Sequence, residues 1–160
     1  PDKYETIGDA IDIAEPGDVI VVDAGGVCDN AIIGDIMTSH AKKRGVAGFI
    51  IDGAIRDAGE LAERDYPVFA RGANHRGPYK NGPGEINVPV AIGGVVVMPG
   101  HIIVGDHDGV VLVPLAEADG VLESAMGIAK KEAGTLAGIA AGKTDRAWVD
   151  EALRAKGAKV

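Results

Sequence analysis

Short apolar runs rich in valine and isoleucine recur along the chain, each bounded by glycine or proline. Runs of this length between turn residues are typical of β-strands. The predicted strands are 19–22, 49–51, 68–70, 88–92, 95–98, 102–104 and 110–113. Segment 35–44, between Gly34 and Gly45, predicts a short helix that ends at a glycine. Strand, helix and strand in this order predict a βαβ unit and therefore a parallel pair of strands.

The rest of the chain divides into a β-rich middle and a helical end. In the middle, breaks such as Gly93-Gly94, Pro99-Gly100 and 106–109 separate consecutive strands and predict hairpins and tight turns. The further predicted helices are 58–64, a long one from residue 115 that weakens at Gly138 and Gly142, and 145–155. The pattern therefore predicts an α/β fold in which a βαβ unit is followed by a β-rich meander and C-terminal helices. A chain of 160 residues is long enough for one such domain, covering residues 1–160.

Charge and cysteine content narrow the classes of function. The net charge of −8 repels a phosphate backbone, so nucleic acid is not an expected partner. Cys28 is the single cysteine, which excludes an internal disulfide framework and a multi-thiolate metal site. Cys28 itself is interpreted as a small, half-buried thiol. The sequence has no signal-peptide pattern and no apolar run long enough to span a membrane, which predicts a cytosolic protein.

The candidate chemistry lies in two pairs of residues, Gly34-Asp35 and Arg56-Asp57, separated by twenty residues. The first pair is predicted to lie at the start of the first helix. The second is predicted to follow a strand, after a loop at 52–55. Because ligands of open α/β sheets bind beyond the carboxyl ends of the strands, both pairs are expected at the same edge.

These residue types suit a 2-oxo acid and a divalent cation. Backbone N–H groups near Ile36 and Met37, at a helix start, can bind a carboxylate. Arg56 can hold a carbonyl or enolate oxygen with its planar set of donors. Asp57 is a hard oxygen ligand for Mg²⁺ or Mn²⁺, and Asp35 can orient a water on that metal. The common interpretation of such pairs is simpler, namely a surface ion pair and a helix N-cap, and it stays open at this point.

The sequence also resembles the RraA-like family over nearly its whole length. The matching motifs are Pro16-Gly17-Asp18-Val19, Val22-Asp23-Ala24-Gly25-Gly26, Gly34-Asp35, Asp52-Gly53, Arg56-Asp57, 67–72, Gly77-Pro78, 87–90, Gly93-Gly94-Val95, Pro99-Gly100 and Asp108-Gly109-Val110-Val111. The resemblance implies a three-layer β/β/α swivelling domain that assembles as a homotrimer or homohexamer. It also implies an aldolase that cleaves 4-hydroxy-4-methyl-2-oxoglutarate to pyruvate and decarboxylates oxaloacetate. Family members typically carry a longer N-terminal segment than this chain.

The resemblance assigns a role to each candidate residue. Residues 34–37 would match the loop and helix start that bind the pyruvyl carboxylate through main-chain N–H groups. Arg56 would match the arginine that steadies the enolate, and Asp57 the single direct protein ligand of Mg²⁺ or Mn²⁺. Asp35 would match the acid that orders a water on the metal. Glu132 is the candidate for a glutamate that the family supplies from the C-terminal helical region of a neighbouring subunit.

Other interpretations compete with the enzyme. Some members of the family bind and mask a ribonuclease without catalysis; they lack the aspartate after the arginine, so Asp57 favours the enzyme. A structural oligomer with a vestigial site is a further alternative. The glycine run after Val22-Asp23 lacks the spacing of a dinucleotide or adenosylmethionine loop and predicts a tight turn. Segment 106–109 is interpreted as a hairpin turn rather than a metal cluster.

A basic stretch in the middle of the chain is the last candidate. Arg71, Arg76 and Lys80 lie among glycines and prolines. The composition predicts an irregular loop near the site, where these side chains could contact the distal carboxylate of a dicarboxylic substrate.

Overall fold

A computed structural model describes residues 7–79, 84–143 and 146–159, which form a mixed α/β chain. The chain divides into two compact units, separated in the sequence between Leu112 and Val113. Each unit is described by itself, and the single domain expected from the sequence stays a prediction. The elements, in chain order, are α1 (Ile7–Ile13), β1 (Val19–Asp23), β2 (Ala31–Ile33), α2 (Asp35–Arg44), β3 (Gly48–Ile55), α3 (Ala58–Ala62), β4 (Val68–Ala73), β5 (Val90–Ile92), β6 (Val95–Val97), β7 (Ile102–Gly105), β8 (Val110–Val113), a 3-10 turn (Leu115–Glu117), α4 (Ala118–Ala140) and α5 (Ala147–Ala155). The predicted α/β class is confirmed.

Strand β3 is the centre of a four-stranded sheet, and all of its neighbours run parallel to it. β1 pairs with β3 from Gly48 to Asp52, and β2 pairs with its last two residues, Ala54 and Ile55. β4 pairs with β3 from Phe49 onwards. All eight residues of β3 are buried, as is typical of a central parallel strand. The parallel pairing of β1 with β3, with α2 between them in sequence, confirms the predicted βαβ unit.

The core of the N-terminal unit lies where α1, α2 and α3 meet the sheet. Phe49 and Tyr66 form its aromatic centre, with ring centroids 6.3 Å apart in an edge-to-face arrangement. Burying a large apolar side chain of this kind stabilises the fold by about 1.5–3 kcal/mol. The cluster consists of Ile11, Ile33, Ala41, Val46, Phe49, Ile51, Ile55, Leu61 and Tyr66.

The hydroxyl of Tyr66 is the exception in this core. The side chain is only 9% exposed, and its hydroxyl has no hydrogen-bond partner among the described residues. Burial raises the pKa of Tyr66 from its ordinary 10.0 to about 12. Because the unfolded chain loses this proton at lower pH than the folded protein, stability is expected to fall between pH 10 and pH 12.

Replacing Tyr66 by phenylalanine is expected to remove that loss and to leave stability at pH 7 unchanged or raised by up to about 1 kcal/mol. The change deletes a buried hydroxyl that has no partner and keeps the packed ring. Urea unfolding of both proteins at pH 7 and across pH 10–12 measures the effect. A clear destabilisation of Tyr66→Phe at pH 7 would mean that the hydroxyl is satisfied after all.

The second half of β3 corrects the sequence prediction. Residues 52–55 were expected to form a loop, but they continue the strand and are all buried. Asp52 is tolerated there because Arg71 on β4 donates a hydrogen bond to its carboxylate. Gly53 leaves room for the adjacent chain, since a β-carbon at this position would lie 2.9 Å from that of Ala24. A polar residue and a glycine therefore mark tertiary contacts and not the end of the strand.

Other predicted boundaries hold to different degrees. Helix α2 was predicted with its observed bounds, and Gly45 ends it with a φ of 90°. Helix α1 and strand β2 were not predicted, because both are short. α3 ends before Arg64, β5 begins at Val90 and β6 ends at Val97. The predicted start of the last helix at residue 145 lies outside the described residues.

The β-rich middle confirms the predicted hairpins. β5 and β6 are antiparallel, and Gly93 and Gly94 between them have φ values of 59° and 83°, as a two-residue hairpin turn requires. Segment 106–109 connects the paired strands β7 and β8, and the Asp106 carboxylate accepts the N–H groups of Asp108 and Gly109. That carboxylate therefore serves the turn. Within the described residues, no helix has both the length and the apolar character that crossing a membrane demands.

Candidate functional site

The parallel pairing of β2 and β3 brings the two halves of the candidate motif together. Ile33 and Ile55 are paired at the ends of these strands, and the N–H of Arg56 donates to the carbonyl of Ile33 at 3.0 Å. Gly34 then starts α2, and Arg56-Asp57 leads into α3. The expectation that both pairs lie at one edge of the sheet is therefore met by the fold.

Asp57 links the two helices through its side chain. Its Oδ2 accepts the backbone N–H of Asp35 at 2.9 Å and lies 3.6 Å from Nε of Arg56. The backbone of Asp57 has a φ of 56° and a ψ of 32°, a left-handed conformation that costs a residue with a side chain about 1–3 kcal/mol. Strain of this kind persists where the surroundings hold a residue in place, as the contact with Asp35 does here.

Gly34 is required by the close approach of the Arg56-Asp57 pair. A β-carbon at Gly34 would lie 2.6 Å from Oδ2 of Asp57 and 2.7 Å from Cγ of Arg56. The φ of −153° is ordinary extended backbone, so glycine is needed here for space and not for conformational freedom. The Gly34-Asp35 and Arg56-Asp57 pairs are therefore packed directly against each other.

The first turn of α2 presents unused donors beside this pair. The N–H of Asp35 is taken by Asp57, and the N–H of Thr38 donates to the carbonyl of Gly34. The N–H groups of Ile36 and Met37 have no acceptor among the described residues. Together with the positive end of the helix dipole, they offer a place for an anion. That a carboxylate binds them stays a prediction.

The carboxylate of Asp35 is held on its other side. Its Oδ1 accepts the Ser39 hydroxyl at 3.0 Å and lies 2.5 Å from Nη1 of Arg64. Hydrogen bonds from Arg64 and then Ser39 lower the pKa of Asp35 below its ordinary value, so it is ionised at neutral pH. Sequence reasoning missed Arg64, since no local pattern connects it to Asp35.

A small pocket of about 50 Å³ lies beside Gly34, the first turn of α2 and Arg56. Pro78 lines one side of it. The preceding Gly77 lies close to Arg56, since a β-carbon added to Gly77 would be 3.6 Å from Nη1 of Arg56. The pocket is lined by Ile32, Ile33, Gly34, Ile36, Met37, Arg56 and Pro78. Arg56 is the charged residue of this lining, and the isoleucines, Met37 and Pro78 make the rest of the wall largely apolar.

The chain before Pro78 is fixed by asparagines that sequence reasoning did not single out. Asn74 donates from its side chain to the carbonyls of Cys28 and Asp29, and from its backbone to Ile55. Asn30 donates to the carbonyl of Gly77 at 2.6 Å. Only the fold brings these residues together, so composition alone gave no signal for them.

The sequence predicted one loop for the three basic residues Arg71, Arg76 and Lys80, but the two that the structure describes do not share one environment. Arg71 lies in β4 and not in a loop, and its hydrogen bond to the buried Asp52 raises the pKa of the guanidinium further. Arg76 is exposed, and Lys80 lies outside the described residues. Cys28 is half-buried and its thiol lies 3.8 Å from the carbonyl of Gly26, which agrees with an ordinary structural thiol.

The residues at the site fit a magnesium or manganese ion of the expected kind. Within the described residues, no group of three His, Cys, Asp or Glu side chains forms a metal cage. Mg²⁺ does not need one, because it is commonly bound by one or two carboxylates together with substrate oxygens and waters. Asp57 offers such a carboxylate, with Oδ2 engaged by Asp35 and Oδ1 without a hydrogen bond from the described residues.

Glu132 lies on α4, in the C-terminal unit, and its side chain is exposed. α4 has no buried residue, although it carries large apolar side chains such as Leu122, Met126 and Leu136. The role of Glu132 stays a prediction.

Comparison with known proteins identifies the class to which this fold and site belong. The sequence model of the RraA-like family, described as Aldolase/RraA, matches residues 1–112 of the 160. The chain belongs to the RraA-like family.

Three individual proteins show how far the similarity extends. A protein of Halalkalibacterium halodurans, named "putative 4-hydroxy-4-methyl-2-oxoglutarate aldolase", is 48% identical over 112 residues, which cover 70% of this chain and 53% of that protein. This chain thus spans about half the length of that relative. A crystal structure of a Pseudomonas syringae pv. tomato protein matches with a TM-score of 0.79 and 34% identity, over 84% of this chain and 68% of that one. Streptomyces coelicolor RraAS2, described as an unusual member of the RNase ES inhibitor RraA protein family, matches with a TM-score of 0.75 and 33% identity, over 81% of this chain and 67% of that one.

Proposed function

We propose that this protein is a divalent-metal-dependent carbon–carbon lyase. It cleaves 4-hydroxy-2-oxo acids of the 4-hydroxy-4-methyl-2-oxoglutarate type to pyruvate and decarboxylates oxaloacetate. The observation that carries the proposal is the junction of α2 and α3, where Asp57 accepts the N–H of Asp35 and lies beside Arg56. The free N–H groups of Ile36 and Met37 lie in the same first turn of α2. The aldolase name of the Halalkalibacterium halodurans relative supports the same class of reaction.

The chain's own residues divide the binding of the substrate between them. The N–H groups of Ile36 and Met37 bind the carboxylate next to the keto group, helped by the helix dipole. Arg56 donates to the keto oxygen, on which negative charge develops when the C3–C4 bond breaks. Asp57 holds the Mg²⁺ or Mn²⁺ ion, which when bound supplies Lewis-acid stabilisation of that charge.

Proton transfer completes the reaction. A water held by the Asp35 carboxylate accepts the proton of the 4-hydroxyl, which becomes a carbonyl as the C3–C4 electron pair moves into the pyruvate enolate. A proton from water then returns to C3 and gives pyruvate. With oxaloacetate the same enolate forms as carbon dioxide leaves, so Arg56 has the same role in both reactions.

The test is the release of pyruvate from 4-hydroxy-4-methyl-2-oxoglutarate and from oxaloacetate. A coupled lactate dehydrogenase assay measures the pyruvate. Release is expected with Mg²⁺ or Mn²⁺ and is expected to stop when EDTA removes the metal. Spontaneous decarboxylation of oxaloacetate in the same metal buffer without protein is the control. Absence of release from both substrates by a folded protein would contradict the lyase.

A second candidate is a non-catalytic regulator of ribonuclease activity, which the similarity to Streptomyces coelicolor RraAS2 favours. A regulator would slow RNA cleavage by an RNase ES-type enzyme and release no pyruvate. Asp57 argues for the lyase, since binding a ribonuclease does not call for a metal ligand at this edge. The two assays on one preparation separate the candidates.

We also propose that the protein assembles as a homotrimer or homohexamer in the cytoplasm. The exposed apolar side chains of α4 support assembly, because a helix with such a surface is stabilised by a neighbour. Glu132 on this helix would then reach the site of an adjacent subunit. Sedimentation velocity decides between one, three and six chains.

A further inference from the structure

We propose that Arg64 is a positioning residue that keeps the Asp35 carboxylate away from the open N–H groups of α2. The role rests on the proposed function, in which those N–H groups bind the carboxylate of a 2-oxo acid. Without such a restraint, the Asp35 carboxylate would compete with the substrate carboxylate for these N–H groups, because Asp35 belongs to the same turn of α2.

Arg64 reaches Asp35 from the end of the short helix α3. Its Nη1 lies 2.5 Å from Oδ1 of Asp35 and donates to the Ser39 hydroxyl at 2.8 Å. The Ser39 hydroxyl donates in turn to the same Oδ1 at 3.0 Å. Three groups therefore form a closed set of contacts around one carboxylate oxygen.

The backbone of Arg64 is held in place, as its guanidinium group is. Its backbone N–H donates to the carbonyl of Leu61 at 3.2 Å, and Leu61 is only 5% exposed within the core. At the other end of α3, Asp57 accepts the backbone N–H of Asp35. Asp35 is thus held at its N–H by the residue before α3 and at its carboxylate by a residue after it.

Electrostatics explains why this restraint matters for binding. The dipole of α2 and the unused N–H groups of Ile36 and Met37 attract any nearby negative charge. The ionised carboxylate of Asp35 is the charge on the same turn, and Arg64 with Ser39 holds it on the side facing α3. Arg64 also offsets that charge, so an incoming carboxylate is repelled less.

The contribution of this pair to folding is expected to be small. The side chains of Arg64 and Asp35 are 34% and 39% exposed, and half-exposed ion pairs contribute little to stability. A loss of binding in an Arg64 variant would therefore not follow from unfolding. The control is Arg44→Ala, which removes a guanidinium bound to the carbonyls of Ile11 and Asp12, away from the junction of α2 and α3.

The experiment measures pyruvate binding with Mg²⁺ by isothermal titration calorimetry in a double-mutant cycle of Arg64→Ala and Asp35→Asn. Arg64→Ala is expected to weaken binding about tenfold, the scale of a charge competing at a helix N-terminus. In the Asp35→Asn protein the same change is expected to have almost no effect, because no charge remains to be restrained. Arg64→Lys is expected to recover part of the affinity, and Arg44→Ala to bind like the native protein.

Each other outcome overturns a definite part of the proposal. Unchanged binding by Arg64→Ala, or an equal loss in the Asp35→Asn protein, means that Arg64 does not act through Asp35. If the native protein binds no pyruvate, the carboxylate site itself is wrong and the proposed function fails with it. Should Arg64→Ala not fold, Arg64→Gln replaces it in the same cycle.

Discussion

Asp57→Asn is expected to lower kcat/KM for pyruvate release by at least about a thousandfold, because it removes the carboxylate proposed to hold the metal. Asparagine preserves the local structure. It tolerates the left-handed backbone with a φ of 56°, and its amide oxygen can still accept the N–H of Asp35. The change therefore removes the charge and leaves the shape.

Pyruvate release as a function of Mg²⁺ concentration checks this prediction, together with direct Mn²⁺ binding followed by electron paramagnetic resonance. The matched control is Asp12→Asn, which changes a surface carboxylate near His40 and Arg44 and is expected to leave the site unchanged. Native-like activity of Asp57→Asn would show that the metal is not held by this residue. Lost metal binding without lost activity would show that the reaction does not use the metal.

Gly34→Ala is expected to reduce kcat/KM by about a hundredfold or more, since a displacement of about 1 Å has that effect on a positioned group. The added methyl group would lie 2.6 Å from Oδ2 of Asp57 and 2.7 Å from Cγ of Arg56, so both residues must move. Alanine adopts the extended backbone at this position readily, so the whole effect is steric. Overpacking is expected to cost about 1–3 kcal/mol of stability as well.

Steady-state kinetics and urea unfolding of the same preparations separate the two consequences. Gly59→Ala is the control, because Gly59 lies in α3 and a β-carbon there meets nothing within 4 Å. That variant is expected to be as active as the native protein and slightly more stable, since alanine favours a helix over glycine. Full activity of Gly34→Ala would contradict the assignment of the site to the junction of α2 and α3.

Local patterns predicted those elements whose ends are marked by local chemistry. Helix α2 was predicted with its observed bounds, because Gly34 starts it and Gly45, with a φ of 90°, ends it. The hairpin between β5 and β6 was predicted because two adjacent glycines supply the positive φ that its turn requires. The second half of β3 was missed, because Asp52 interrupts an apolar run and only its partner Arg71 explains why it is buried.

The candidate site, too, was predicted in part from the sequence and decided in part by the tertiary structure. The sequence by itself determined the residue types at the site and their common edge, because parallel strands of a βαβ unit end at one side of a sheet. Only the tertiary structure decided which atoms meet there. It placed Asp57 on the N–H of Asp35, Gly34 against Arg56, and Arg64 on the Asp35 carboxylate.

The physical reason lies in the range of the interactions. Caps, turns and the alternation of apolar runs depend on neighbours a few residues away, so they can be read along the chain. The contacts of Arg64 with Asp35 and of Asn30 with Gly77 span 29 and 47 residues, and they depend on how α3 and β4 pack against β3. No local pattern encodes contacts between residues so far apart in the sequence. The contacts between side chains at this edge of the sheet were therefore known only once the strand pairing was known.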